Sequence, residues 1–377
     1  MIRRRRSSPA ALEDDDLLGE ILLRLPPMPS SLPRASAVSK RWRGLVTDHG
    51  FLRRFHAHHR EPTLLGAFLH HPGDKPKFTP ILPAPDRIPP PYLDKGARLL
   101  SCRHGRFLII HRERVDVFVC DHTTSSHHRV PILPEFKGRY INGAVLCASR
   151  ERGHVHGDCH TTLFKVVLLL VYAKNARPLT SVYSSEADTW ADLISADVRY
   201  HGCFDDYFST LVGNVLYWSF KYVMKGILGF DLERQILDVI EGPPHMYHSG
   251  NHQIIQAEDG AVGLAMMSHH YNNIQMWQRN VNCHGISTWM LWKTIKMHKI
   301  LGIPPQVEGE KTWLKFILGY VEDTDGIFLY VNGSVYMVQL ESMQSRKLGD
   351  ARNTISYCHS FRSVYGPGDC SFLVLIL

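Results

Sequence analysis

None of the eight cysteines, at positions 102, 120, 147, 159, 203, 283, 358 and 370, belongs to a C-x-x-C pair. The paired Cys/His spacing of a structural zinc domain is therefore absent. Long apolar runs are missing too, and the longest, Val166 to Tyr172, is too short to span a bilayer. The arginines near the N-terminus lead into acids rather than an apolar segment, so no secretory signal is expected. Without export, reduced thiols in a cytoplasmic or nuclear protein are the natural reading. There is no P-loop, no H-E-x-x-H, no G-x-S-x-G and no G-x-G-x-x-G. Helical periodicity nearly vanishes after the first 60 or so residues. No catalytic machinery is legible, and no cofactor or metal is expected.

Several residue groups admit a chemical reading and a plainer one. His154, His156, Cys159 and His160 have ligand chemistry, but they sit between Gly153 and Gly157 and lack a second coordinating pair, which favours a solvated loop. Trp218, Trp277, Trp289, Trp292 and Trp313 suit a ligand groove or, more simply, a packed core. Asp205, Asp206, Asp323 and Asp325 read as loop and turn acids rather than acid/base pairs. Asn332-Gly333-Ser334 has the form of a glycosylation site but reads better as a turn. The net charge of +7 permits an acidic partner without demanding one. Part of it lies in Arg3 to Arg6, inside a basic tail over 1–11 that is expected to be solvated and disordered. An import signal or nucleic-acid arm is the alternative for that run; nucleic acid and membrane are not the expected partners.

What the chain does have is a short helical unit near its start. Glu13 to Asp16 suit the positive end of a helix dipole, and Pro26-Pro27 stop the helix that begins there. At about 100° per residue, Leu17, Leu18, Ile21, Leu22 and Leu25 cover an arc of about 140°, with Leu23 off it. A second helix is predicted over Leu32 to Trp42, with Ala35, Val38 and Trp42 on one face that Leu45 and Val46 extend. A third carries Phe51, Leu52 and Phe55. Three short helices make a marginal core, and leaving two stripe leucines in water would forgo roughly 3–6 kcal/mol. The physical reading is a docking module whose surplus apolar face another protein completes.

Residues 12–57 resemble the F-box, through Glu20-Ile21-Leu22, Arg24-Leu25-Pro26, Leu32-Pro33-Arg34-Ala35 and Val38-Ser39-Lys40-Arg41-Trp42-Arg43. The usual Leu-Pro opening is Leu12-Glu13 here, and the usual cysteine before Lys40 is Ser39. The resemblance implies binding to a Skp-type adaptor and, through it, to a cullin scaffold of a ubiquitin ligase. Leu17, Leu18, Ile21, Leu22, Leu25, Pro26 and Trp42 would build or present the adaptor-facing surface. Ubiquitin transfer by this chain itself would need a nucleophilic cysteine or a domain recruiting the conjugating enzyme, and neither is legible, so a non-catalytic subunit is expected.

Residues 58–100 are rich in proline and histidine and read as an irregular connection, although a strand at 63–69 could join the β-rich region beyond it. From 101 to 377 the pattern is strands. Arg106 to His111 pairs with Val115 to Cys120, Leu163 to Tyr172 is apolar enough for a buried central strand, and Asn332-Gly333 is a strong hairpin turn between Ile327–Val331 and Ser334–Leu340. Gly213 to Trp218 followed by Phe230-Asp231-Leu232-Glu233 matches Asn332 to Met337 followed by Val338-Gln339-Leu340-Glu341. Leu232 and Leu340 are two units of about 54 residues apart. The expectation is a multidomain α plus all-β chain, a three-helix F-box followed by a β-propeller-like domain of about six to seven blades, with a large β-sandwich as the alternative. The β-half also resembles the propeller regions that accompany F-boxes in plant proteins, most clearly at Val182-Tyr183-Ser184-Ser185-Glu186 and Trp190. That combination implies a substrate receptor holding an unknown target protein. The alternative is a propeller enzyme or metal-binding protein with an incidental helical unit.

Overall fold

A computed structural model describes residues 14–59, 63–71, 75–90, 93, 96–111, 116–121, 126–149, 159, 163–171, 177–197, 209–218, 226–244, 246, 251–268, 272–304, 314–351 and 355–363. The helical unit has four helices: α1 (Asp15–Leu23), α2 (Ser31–Ser36), α3 (Lys40–Val46) and α4 (His49–His59). This corrects the expected three. The helix predicted from Leu32 to Trp42 breaks at Ser39, whose extended backbone and hydroxyl cap α3 by accepting the Trp42 N–H at 3.1 Å. Asp14 caps α1 in the same way, accepting from Asp16 N and Leu17 N. Leu18, Leu22, Leu23, Leu32, Ala35, Val46, Phe51 and Phe55 form the core of the unit.

The remaining described strands form six sheets. Blade 1 runs outward from Tyr357–Ser363 through Thr63–His70 to Lys77–Pro80. Blade 2 is Ala97–Arg103, Arg106–His111, Asp116–Asp121 and His127–Val130. Blade 3 is Ile141–Cys147, Phe164–Leu170 and Leu179–Ser184, with the short Thr189–Trp190 and Ile194–Ser195 both on its outer side. Blade 4 is Thr210–Val212, Val215–Trp218, Ile227–Asp231 and Ile236–Ile240. Blade 5 is His252–Gln256, Val262–Met267, Asn273–Val281 and Ser287–Lys296, followed by α5 (Met297–Leu301). Blade 6 is Lys315–Val321, Gly326–Val331, Ser334–Gln339 and Ser345–Asp350. All pairings within the blades are antiparallel, and blades 2 to 6 are built from strands consecutive in the chain.

Six hydrophobic cores lie between neighbouring blades, one at each of the seams 1/2, 2/3, 3/4, 4/5, 5/6 and 6/1. The ring is therefore closed, and the sandwich alternative falls away. Each blade is covered on both faces, which is why second strands such as Phe164–Leu170 and Gly326–Val331 are apolar almost without alternation.

Closure joins the two ends of the β-region. Thr63 to His70 pairs antiparallel with Ser363 to Tyr357, so a strand from the proline-rich stretch completes the sheet begun by the last described strand. Ile81 and Ile88 from the same stretch are buried against blade 1 and its neighbours. Gly66 sits at a bulge of this pairing, where a Cβ would lie 2.2 Å from the Phe78 ring and 2.9 Å from the Thr79 carbonyl. The backbone contact cannot rotate away. Gly66→Ala is expected to cost about 1–3 kcal/mol in thermal unfolding; an unchanged midpoint would contradict the packing of Phe78 on this strand.

The Asn332-Gly333 hairpin forms as expected, with φ of 46° and 88° and Val331 paired to Ser334. The internal repeat needs one correction. Leu232 and Leu340 are equivalent, each following the third strand of its blade, two blades apart. The aromatic strands placed before them are not equivalent. Val215–Trp218 is the second strand of blade 4, whereas Ser334–Gln339 is the third strand of blade 6.

Candidate functional site

The apolar stripe of α1 divides between two jobs. Leu18 and Leu22 are buried in the helical core, joined by Leu23, which the stripe had excluded. Taking Leu17 as 0°, buried Leu18, Leu22, Gly19 and Leu23 span about 100° to 240°, while Leu17 and Ile21 lie at about 0° and 40°. Those two are exposed, at 50% and 44%. The core has thus claimed the face beside the stripe and left its other edge in water. Leu25 and Trp42 are half-buried against the core, and Pro26 is exposed. Val38, predicted on a buried face, lies in the break before α3 and is 61% exposed.

Of the seven residues named from the sequence, Leu17, Ile21 and Pro26 are therefore available to a partner. Leu18 and Leu22 support the helix from behind, and Leu25 and Trp42 lie between. Ion pairs hold α1 to the others: Arg41 to Asp15 at 2.6 Å, and Arg54 to Glu20. Both are exposed, so they orient more than they stabilise.

The helical unit is tied to the ring by hydrogen bonds from separate elements. The Ser30 N–H donates to Asp86 Oδ1 at 2.9 Å, and Thr63 Oγ1 donates to the Pro27 carbonyl at 2.5 Å. Within the helical unit itself, His59 Nε2 at the end of α4 lies 3.0 Å from the Leu23 carbonyl of α1. Asp86 belongs to the proline-rich stretch, between the buried Ile81 and Ile88. Sequence reading saw irregularity there and missed this latch; a lone Asp between prolines gave no signal for it.

Inside the ring, Arg103 makes a two-pronged ion pair with Glu322, Nε to Oε2 at 2.8 Å and Nη2 to Oε1 at 2.6 Å. The same guanidinium donates to Ser101 Oγ at 2.7 Å and to the Ser209 carbonyl at 2.6 Å, and Glu322 also accepts the Leu211 N–H at 2.8 Å. Blades 2, 4 and 6 are joined through these groups. Ser101, Cys102, Thr210, Tyr320, His359 and Ser360 line a small cavity beside them. Burial pushes the Cys102 thiol far up, so it stays protonated. Nearby, His70 stacks on Tyr357 at 4.0 Å and meets His359 edge-on at 5.3 Å. Burial, reinforced by His359 and Arg98, holds His70 down at about 2, and burial, reinforced by Arg103 and Arg98, holds His359 at about 3. The cavity has no activated nucleophile, and its ion pair is already satisfied.

The remaining chemical candidates resolve structurally where they are described. Trp218 is fully buried and donates to Asn142 Oδ1 at 3.2 Å. Trp277, Trp289 and Trp292 pack against the cores flanking blade 5. Asp325 adopts φ of 47° in a turn and accepts the Tyr320 hydroxyl at 3.1 Å. Cys159 is buried, and its carbonyl accepts a hydrogen bond from Arg106. His154, His156, His160, Trp313, Asp205 and Asp206 lie outside the described residues, as does the Asp323 side chain. Among the described residues no cluster has the makings of a metal site, and no helix is long and apolar enough to cross a membrane. The Val182 to Trp190 element is a seam lock between blades 2 and 3. Tyr183 donates to Asp188 and lies 2.8 Å from His128, while the Trp190 indole donates to the Pro131 carbonyl.

Comparison with known proteins agrees with the division into two parts. A family model described as F-box protein AT5G49610-like, beta-propeller, matches residues 98–365, and the F-box domain model matches residues 14–54. No curated protein matches the chain. Among solved structures, the extracellular domain of the putative one component system BT4673 from B. thetaiotaomicron is 13% identical at a TM-score of 0.34, over 69% of this chain and 28% of that one. The chain therefore spans well under half of that relative. A nidogen/laminin complex is 7% identical at a TM-score of 0.41, over 79% and 99%. The Dos1 propeller is 10% identical at 0.38, over 71% and 69%.

Proposed function

This chain belongs to the F-box protein family with an AT5G49610-like β-propeller, and from that premise we propose that it is the substrate-recognition subunit of an SCF-type ubiquitin ligase. The F-box docks a Skp-type adaptor and, through it, a cullin scaffold; the propeller holds a target protein. The observation that carries the reading is the exposed pair Leu17 and Ile21 on a helix whose opposite face is locked into its own core. Two large aliphatic side chains left in water on so small a unit favour a partner that covers them.

The chemistry occurs elsewhere in the complex. The contribution of this chain is proximity: it raises the effective concentration of target lysines near the loaded conjugating enzyme. The Asp86 latch suits that role, because a fixed angle between F-box and propeller fixes where the target is presented. The ligase complex acts in the cytoplasm or nucleus in this reading, and the chain itself is non-catalytic.

Co-purification with a Skp-type adaptor tests it. The full chain is expected to bind, and Leu17→Asp with Ile21→Asp is expected to abolish binding while leaving the unfolding midpoint nearly unchanged, since both positions are exposed. Leu22→Asp is the wrong probe, because it places a carboxylate in the helical core. Undiminished binding by the Leu17/Ile21 variant would remove that face from the interface, and no binding by the unaltered, folded chain would defeat the receptor reading.

A further inference from the structure

Exposed large apolar side chains cluster twice on the described surface. One cluster is Leu17, Ile21 and Val38 on the F-box. The other is Val281, Ile286, Met290 and Leu291, each 41% to 60% exposed, on the outer hairpin of blade 5. That hairpin is unlike the other blade rims. Its outermost strand, Ser287–Lys296, has 10 residues, whereas the outermost strands of the other blades have at most 6. It also overhangs its own blade. Val262–Met267 pairs with the third strand only as far as Gln278, so Arg279 to Val281 pair with Ser287 to Trp289 alone.

A two-stranded ribbon is marginal in water and gains from a third strand. No described strand pairs with the outer edge of Ser287–Lys296. Proteins usually blunt such an edge with charge, and lysine does so further along at Lys293 and Lys296. Next to the overhang the same edge carries Met290 and Leu291 instead, paired with Gln278 and Trp277. It is also held in place, because the Trp289 indole donates to the Glu241 carbonyl of blade 4 at 2.7 Å. An edge that is pinned, open and apolar is prepared for strand addition.

Charge says what would add. From Ala261 to Val307 the sequence has no Asp or Glu, although acids are 36 of the 377 residues, and it has Arg279, Lys293, Lys296 and Lys299. Asp259, the last acid before this stretch, is engaged by Gln278 Nε2 at 2.5 Å. On the blade 4 side, Asp238 faces the same seam from Ile236–Ile240, and the exposed Glu241, whose carbonyl receives the Trp289 indole, follows it. The outer edge of the hairpin therefore lies in a cationic field, with its acids confined to the flank.

We propose that the outer edge of the blade 5 hairpin, Ser287 to Leu291, is the target-docking site, and that it takes an extended acidic segment of the target protein as an added antiparallel or parallel strand. Main-chain hydrogen bonds along the edge give register. Apolar side chains of the segment cover Met290 and Leu291, and its carboxylates meet Arg279 and Lys296, Lys293 being turned to the Leu340 carbonyl of blade 6. The proposal rests on the receptor reading, since it names the surface that would hold the target.

The test is a selection of short random peptides displayed on phage against the full chain in complex with a Skp-type adaptor. The expected result is enrichment of peptides combining Asp or Glu with alternating apolar residues. Their affinity should fall about tenfold or more in Met290→Glu with Leu291→Glu, from lost apolar contact and added repulsion, and should weaken with salt. Lys296→Glu, on an exposed position of the same strand, should weaken them independently. No enrichment, or enriched peptides that bind the variants as well as the parent, would overturn the proposal. A hairpin-dependent homodimer in sedimentation would overturn it too, by showing that a second copy covers the edge. Adaptor binding is read in the same preparation, so a failure of the receptor reading is distinguished from a failure of this one.

Discussion

Lowering the pH from 7 towards 4.5 is expected to strip several kcal/mol from the stability of the propeller, because two buried imidazoles stay neutral in the fold. His70 and His359 are each about 5% exposed and are held at about 2 and about 3, well below the ordinary 6.5. Burial is the main cause for both. Arg98 acts on both groups as well, His359 adds to the burden on His70, and Arg103 to that on His359. In the unfolded chain both imidazoles take up a proton below pH 6.5. A depressed folded value means that the stabilisation is complete above 6.5 and is lost as the pH falls towards the folded values. With two protons bound only by the unfolded state, the slope reaches about 2.7 kcal/mol per pH unit. Two units of acidification then remove about 4–5 kcal/mol, a large share of the roughly 5–15 kcal/mol of a typical domain. The measurement is denaturant unfolding at a series of pH values between 7 and 4.5. His70→Gln should roughly halve the slope, and an unaltered slope would show that His70 is not buried neutral.

The second large effect belongs to Arg103. Its guanidinium satisfies Glu322, Ser101 and Ser209 at once, across three blades. Arg103→Met would leave the Glu322 carboxylate with the Leu211 N–H but no cation. Removing one partner of a buried pair costs about 3–5 kcal/mol, mostly the cost of the stranded charge. The double substitution Arg103→Met with Glu322→Met should recover much of that loss, since neither charge is then left alone. Unfolding midpoints of the two single variants and the double variant make the comparison. Additive losses would mean that the two residues stabilise independently, contrary to the geometry.

The sequence by itself determined the parts and their kinds. Helical spacing before residue 60 and strand patterning after 100 are local signals, set by backbone geometry and by which faces are apolar. The Asn332-Gly333 turn could be placed because positive φ at both positions is a property of those two residues. The spacing of Leu232 and Leu340 gave the blade period, since both close the third strand of a blade.

Other features needed contacts between residues far apart in the chain. Which arc of α1 faces the core depends on where Phe51, Phe55 and Val46 arrive, so Leu23 went inside and Leu17 and Ile21 stayed out. Six blades became definite only when Thr63–His70 paired with Tyr357–Ser363, a closure between strands nearly 300 residues apart. The proline-rich stretch looked like a linker because its hydrogen-bond partners, Ser30 and the last strand, are remote from it. Arg103 and Glu322 carry no local pattern at all: an ion pair across a ring exists only once the ring has closed.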